Sequence, residues 1–355
     1  MKNNSQLPDI RDLSYPKLQA LFEEMGEKAF RAKQVFQWLH KERAESFDEI
    51  TNLSKPLRAK LARDFSIGRV KVAEEQVSED RTIKSAFQLA DGPVVEGVLI
   101  PTSKRMTACI SSQVGCSLSC AFCATGRLKR MRNIKGYEIY DQVALIADQA
   151  QKHYRAPLTN IVYMGMGEPL MNYKGMMESV ELISSPDGLG MSPKRITVST
   201  AGIARMIKRL GDDEVRFNLA LSLHAADEEK RSKIMPINET NSLDALARAL
   251  AHFREKAKGE LTYEYIIFKD FNDSLEDARK LAAYVSRVPG KINIIEYNPI
   301  DDADEFERSS IEQVDAFAAY LESKRIQVNI RRSRGKDIDA ACGQLANKNK
   351  AAVKA

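Results

Sequence analysis

From Met106 to Arg332, short runs rich in β-branched and aromatic residues alternate with longer runs of helical spacing. This alternation constrains the fold more than any other feature of the chain. The strand-like runs are MTACIS, NIVYMGM, RITVST, RFNLALSL, LTYEYIIF, KINIIEYN and QVNIRR, with helical stretches such as GYEIYDQVALIADQAQKHY, SLDALARALAHFREKA and SLEDARKLAAYVSR between them. Parallel strands need long crossover connections, usually helices, so repeated β–α units imply a parallel sheet. About six units fit, short of the eight that close a standard (β/α)8 barrel. The expected fold is therefore α/β with a partial (β/α)6 barrel, and a doubly wound sheet is the alternative. In both, ligands gather at the C-terminal ends of the strands.

Two other regions precede this repeat. The segments LSYPKLQALFEEMG, AFRAKQVFQWLHKE and SKPLRAKLARDF show helical spacing, which predicts a small N-terminal helical accessory domain over residues 1–66. Its many lysines and arginines, interleaved with Phe30, Phe36, Trp38 and Phe47, suit an RNA-binding module or merely a solvated face over a small core. Residues 67–101 read as a β-rich connector, with strands VKVAEEQ, SAFQLA and VVEGVLIP in a meander. The barrel is assigned to 102–332 and a C-terminal segment to 333–355, whose tail NKNKAAVKA is expected to be disordered. No run approaches the ~20 apolar residues of a membrane span, and MKNNSQLPDI lacks the apolar core of a signal peptide. A cytoplasmic protein with no membrane partner is the expectation. The net charge of +5 suits a polyanionic partner without requiring one.

Three of the five cysteines crowd into ISSQVGCSLSCAFCATG, where Cys116, Cys120 and Cys123 form a C-x3-C-x2-C array just after the strand MTACIS. One loop can wrap three such thiolates around a compact inorganic centre. A structural zinc site wants four protein ligands, which would bring in Cys342 or a histidine from afar. A 4Fe–4S cluster held by three cysteines instead leaves one iron open for chemistry. Other strand ends carry further candidates. GMGEPL follows the strand NIVYM and offers Gly167 and Glu168; STAG, SLHA and EYNP offer Ser199, Ser222, Leu223, His224 and Asn298. Singly, each reads as a structural hydrogen-bonder; at successive strand ends they read as a ring around a ligand.

The array C-x3-C-x2-C, with Phe122 before its last cysteine, resembles the signature of the radical S-adenosylmethionine (SAM) superfamily. TACISSQVGCSLSCAFCATG, MGMGEPLMN, SLHA, MPIN, EYNP and DIDAACGQLA together resemble the RlmN/Cfr family of RNA adenosine methyltransferases over nearly the whole chain. The resemblance implies a 4Fe–4S cluster on Cys116, Cys120 and Cys123, and SAM bound by Gly167, Glu168, Ser199, Ser222, Leu223, His224 and Asn298. It implies two SAM molecules per turnover. One methylates Cys342, and the other yields a 5′-deoxyadenosyl radical that takes hydrogen from the S-methyl group. The resulting methylene radical adds to adenine, Glu96 accepts the ring proton, and Cys109 resolves the protein–RNA adduct by forming a disulfide with Cys342. VVEGVLIP and RRSRGKDIDAACGQLA look more like the form that methylates C2 of adenosine in 23S rRNA and tRNA than the Cfr-type form acting at C8. RNA and an electron donor such as flavodoxin are the implied partners. A non-catalytic, metal-containing RNA-binding protein is the alternative from another class. Two departures stand out: Met166 replaces a glycine of the superfamily's GGEP motif, and FERSS (306–310) lacks a glycine before Arg308.

Overall fold

The computed structural model describes residues 7–301 and 305–348. The chain opens with three helices, α1 (Tyr15–Glu24), α2 (Phe30–His40) and α3 (Lys55–Asp64). Pro16 and Pro56 sit in first turns, where a missing N–H costs nothing, and the Ser54 hydroxyl caps α3 by accepting from the Leu57 N–H. Leu18, Phe22, Val35, Leu39, Leu57 and Leu61 close a small core of their own.

Buried charge docks this core on the barrel. The Arg11 guanidinium lies between Asp9 and Asp141, 2.8 Å from the latter, and stacks over the Tyr137 ring. Arg69 donates to Asp141 and to the carbonyls of Leu39 and Ala44, the orphan acceptors after α2.

The connector is the antiparallel meander β1 (Lys71–Val77), β2 (Ile83–Gln88) and β3 (Val94–Pro101), which continues into β4 (Met106–Cys109). A two-stranded hairpin, β5 (Gln113–Val114) with β6 (Arg132–Asn133), then closes off the loop that carries the cysteine array. Beyond it run α4 (Gly136–Tyr154), β7 (Asn160–Tyr163), α5 (Tyr173–Ser184), β8 (Ile196–Thr200), α6 (Ala204–Asp212), β9 (Asn218–Ser222), α7 (Glu228–Ile234) and α8 (Leu243–Lys256). The repeat ends with β10 (Leu261–Ile267), α9 (Leu275–Arg287), β11 (Lys291–Glu296), α10 (Ile311–Ser323) and β12 (Val328–Arg331). Among the described residues, β4, β7, β8, β9, β10, β11 and β12 are parallel in that order, joined by six helical crossovers. This is the partial (β/α)6 barrel, not the doubly wound sheet, because the strand order never reverses. Its strands are buried on both faces, as in Leu261–Ile267, so they read as near-continuous apolar runs.

Past β12 the chain turns back across the open side of the barrel. The Arg334 guanidinium donates to the Pro101 carbonyl at 2.9 Å, and the Gly335 N–H donates to Asp80 at 2.9 Å. The expectation of a disordered tail fails at its start. Asn347 is bonded to β3 through its backbone N–H and side chain, and Lys348 pairs with Asp301 at 2.7 Å. Residues 349–355 lie outside the described residues.

The two departures in sequence both have structural reasons. Met166 is wholly buried; its sulfur accepts from the Glu96 N–H at 3.3 Å, and its carbonyl accepts from Ser112. Glu307, where a glycine was expected, pairs with Lys269 at 2.8 Å. Arg308 and Ser309 fasten the same loop to the Tyr297 carbonyl and Asp273.

Candidate active site

One cavity opens at the C-terminal ends of the parallel strands. Its walls include Cys116, Cys120, Cys123, Gly167, Glu168, Ser199, Ser222, His224 and Cys342. Nine of the residues singled out in the sequence thus meet at one place, drawn from the loop after β4, the ends of β7, β8 and β9, and the C-terminal strap. Four stand outside the lining. Leu223 is packed in the main core. Asn298 is buried beside the cavity and donates to the Cys342 carbonyl at 3.3 Å; its buried Oδ1 has no partner among the described residues. Cys109 and Glu96 lie buried on β4 and β3 behind it.

The cysteine loop is shaped by its own backbone. The Cys123 N–H donates to the Cys120 carbonyl at 3.2 Å, and Cys116 N–H donates to Leu128 at 3.3 Å. A side chain at Gly115, whose φ is +73°, would collide with the Lys129 carbonyl, so the hairpin can close only over glycine. Burial pushes the Cys120 thiol well up, and the charges of Cys123 and Cys116 push it further. Burial likewise raises Cys116 and Cys123.

Opposite this loop the strand ends are fixed by charge. Both oxygens of buried Glu168 are engaged: one accepts from Leu170 N–H at 3.0 Å, the other from Ala201 N–H at 2.8 Å. Burial raises its pKa, and these hydrogen bonds oppose the rise. Gly167 serves packing as well as the cavity wall, since a Cβ there would strike the Gln113 side chain. His224 sits at φ +57°, and its Nδ1 accepts from the Ile266 N–H at 3.0 Å, which leaves Nε2 as the donor of a neutral ring. Burial, aided by Arg231, depresses its pKa to about 3. The ring stands edge-on to Phe122, 4.7 Å between centroids.

Three residues of the site escaped the sequence reading. Glu264 lines the cavity from inside β10, and Arg331 at the end of β12 pairs with it at 3.2 Å. Arg231 is fully buried and donates to the carbonyls of Leu223, Ala201 and Ser222 and to Asn238, binding the loops after β8 and β9 together. The available signal was a charge inside an apolar strand, LTYEYIIF, where an unpaired carboxylate would not survive burial.

Known proteins share this sequence and this geometry. Residues 8–67 match the family described as the ribosomal RNA large subunit methyltransferase N-terminal domain, and residues 110–282 match the radical SAM superfamily. A probable dual-specificity RNA methyltransferase RlmN of Cytophaga hutchinsonii is 57% identical over 339 residues, covering 96% of this chain and 93% of its own. The dual-specificity RNA methyltransferase RlmN of Nitratidesulfovibrio vulgaris is 44% identical, with 96% and 95% covered. The chain belongs to the RlmN family. A crystal structure of a radical SAM methyltransferase from Sphaerobacter thermophilus superposes with a TM-score of 0.88 at 36% identity, covering 95% of this chain and 99% of that one. The RlmN family is thus matched in its accessory helices, its barrel and its strap together.

Membership in this family within the radical SAM superfamily implies a 4Fe–4S cluster, SAM and an RNA substrate. The donor set fits the cluster. Three thiols from one loop face one cavity, yet no three His, Cys, Asp or Glu side chains among the described residues converge tightly enough for a single ion. The orphaned Asn298 Oδ1 beside the cavity is in keeping with a polar ligand there. No helix among the described residues is long and apolar enough to cross a membrane.

Proposed function

We propose that this enzyme methylates C2 of adenosine in 23S rRNA and tRNA, through a methyl group carried on Cys342. The observation that supports it best is that a further cysteine lines the three-thiol cavity with another buried on β4 behind it. Cys342 lines that cavity, and Cys109 lies close enough that the charge of Cys342 raises its pKa. Adenine C2 is an sp2 C–H centre with no lone pair, so transfer from an electrophilic sulfonium cannot reach it, and a carbon radical can.

Cys116, Cys120 and Cys123 would hold the cluster, and the strand-end residues Gly167, Glu168, Ser199, Ser222, His224 and Asn298 would hold SAM, with Leu223 packing behind them. Bound together, these groups supply the radical chemistry. The chain's own residues supply the rest. Cys342 offers a sulfur that accepts a methyl group from one SAM, so that two SAM are consumed per turnover, and that sulfur becomes the point of attachment to RNA. Glu96 accepts the proton lost from the base. The Cys109 thiolate attacks the Cys342 sulfur; the sulfur–carbon bond breaks with its electron pair on carbon, which takes up a proton and departs as methyladenosine. The basic surface of the accessory helices suits RNA phosphates and a cytoplasmic setting suits free thiols. The adduct would give up one electron as its ring proton leaves, and a donor such as flavodoxin would supply the electrons that cleave SAM and that reduce the Cys109–Cys342 disulfide before the next turnover.

The test is mass spectrometry of nucleosides from ribosomal and transfer RNA treated with anaerobically reconstituted enzyme. 2-Methyladenosine is expected from both RNAs. 8-Methyladenosine would replace this reading with the Cfr-type one, and zinc in place of iron and acid-labile sulfide would overturn both.

A further inference from the structure

Glu96 fastens the strap that carries Cys342. The strap crosses the open side of the barrel and ends against β3, where Glu96 is 1% exposed. The Oε2 of Glu96 accepts from the backbone N–H of Ala346 at 2.9 Å and of Asn347 at 3.0 Å. The Asn347 side chain donates to the Val94 carbonyl on the same strand at 2.8 Å. Lys84 on β2 stands 3.8 Å from the other Glu96 oxygen.

The two donors lie four and five residues beyond Cys342 on a stretch with no regular secondary structure. Nearer Cys342 the strap is held by the Ala124 N–H on the Gly343 carbonyl at 2.7 Å, the Thr125 hydroxyl on the Leu345 carbonyl at 2.6 Å and the buried Leu345 side chain, so the Glu96 bonds are what fasten its last described stretch, 346–347. A carboxylate oxygen has two lone-pair directions, and two N–H groups fill them. The same oxygen therefore cannot hold the strap and take a proton from a substrate base at one time, and the other oxygen is the one set against the Lys84 ammonium.

We propose that Glu96 is a positioning residue for Cys342: its carboxylate latches the strap in the posture that sets Cys342 beside Cys109, and the latch opens when the RNA base arrives. This rests on the reading above that Cys342 carries the methyl group and Glu96 receives the proton. The two duties then alternate. The latched strap presents Cys342 to the cavity and to Cys109, and the released strap frees the carboxylate for proton transfer.

Glutamine and alanine separate the latch from the base. A glutamine carbonyl still accepts both N–H groups but takes no proton near neutral pH; alanine does neither. Cluster-reconstituted enzyme with unmethylated Cys342 is compared as wild type, Glu96→Gln, Glu96→Ala and Ala346→Pro, the last of which removes one donor from the other side. Two readouts are followed without RNA: hydrogen exchange in the peptide covering 343–348, and alkylation of Cys342 by iodoacetamide. Loss of two charge-assisted hydrogen bonds should raise both by about tenfold or more in Glu96→Ala, with a smaller rise in Ala346→Pro. Glu96→Gln keeps the acceptor but loses the charge and its pairing with Lys84, so its rise should fall clearly short of that in Glu96→Ala. A Glu96→Ala strap as protected as wild type would overturn the latch, and so would a Glu96→Gln strap as loose as Glu96→Ala. Transfer RNA added to wild type should raise exchange at 346 and 347; stronger protection there would overturn the coupling to RNA entry. None of these readouts needs methyl transfer, so an enzyme that proves unable to methylate RNA would leave the test of the latch standing.

Discussion

The guanidinium of Arg331 on β12 and the carboxylate of Glu264 on β10 meet at 3.2 Å across the intervening strand β11, where Asn293 donates to the second Glu264 oxygen at 2.8 Å. This pins a cation near two thiols, the buried Cys109 and the half-buried Cys342. Burial raises Cys109, and the charge of Cys342 raises it further, to about 12, while Arg331 pulls it down. Burial also raises Cys342, again against Arg331. The thiolate is the nucleophile in both proposed cysteine steps, and Arg331 favours it. Arg331→Met should therefore move the pH profile of Cys342 alkylation upward. At a fixed pH below the midpoint, the reaction slows about tenfold for every pH unit the profile moves. Glu264→Gln removes a negative charge that itself raises Cys342, so it should move the profile downward, opposite to Arg331→Met. An unchanged profile in Arg331→Met would show that the cation does not bear on the thiols.

Cys120 tests the cluster assignment most directly. Its thiol is raised by burial and then by its two neighbours, so a neutral thiol is the stable form without metal. Metal binding must displace that proton, which makes cluster assembly more favourable as pH rises. Cys120→Ala should lose the visible iron–sulfur absorbance and all RNA methylation. The accessory helices have a separate core and should remain folded by circular dichroism. Cleavage of SAM to 5′-deoxyadenosine by this variant would refute the ligand assignment.

His40 makes the junction between accessory helices and barrel sensitive to acid. It is 2% exposed, stacks on Phe36, and its backbone carbonyl accepts from the Tyr140 hydroxyl at 2.8 Å. Burial, then the charges of Arg11 and Arg69, depress its pKa to about 3. The unfolded chain binds a proton at His40 near pH 6.5 and the folded chain does not. This contribution to stability is thus complete above pH 6.5 and is lost as pH falls toward 3. The slope is about 1.4 kcal/mol per pH unit, or about 2 kcal/mol between pH 6.5 and 5. In His40→Leu, denaturant titrations at these two pH values should differ by about 2 kcal/mol less than in wild type. Equal differences would mean that the imidazole is not held neutral.

Much of this architecture was legible because it is local. The alternation of apolar strands with helical runs specifies β–α units, and the C-x3-C-x2-C spacing places three thiols on one loop whatever the rest of the chain does. What stayed hidden is what depends on contacts between distant segments. Arg231 and Arg331 look like surface charges in sequence, and only closure of the barrel brings them to their partners; Glu264 alone stood out, as a charge inside an apolar run. Asn347 looked like the start of a polar tail because composition says nothing about a hydrogen bond to Glu96, 251 positions away. Leu223 is the reverse case: the SLHA motif put it among the candidates for binding SAM, and its side chain packs in the main core.

The two-cysteine scheme is most exposed at Cys109. After the methylene carbon bonds to adenine, the RNA is tethered through the sulfur of Cys342. A carbon–sulfur thioether does not hydrolyse near neutral pH, so water cannot release it. A thiolate beside that sulfur can, by forming a disulfide as the carbon leaves, and Cys109 is the buried thiol at which the charge of Cys342 is felt. Removing it should stop the reaction after the bond to RNA has formed. Cys109→Ala should accumulate a covalent protein–RNA adduct under turnover conditions, visible as a shifted band on a denaturing gel. Cys342→Ala has no attachment point and should show none, and the double variant should behave like Cys342→Ala. If Cys109→Ala released free methylated RNA at the wild-type rate with no adduct, Cys109 would be only a buried apolar residue of β4, and release of the product would need another nucleophile.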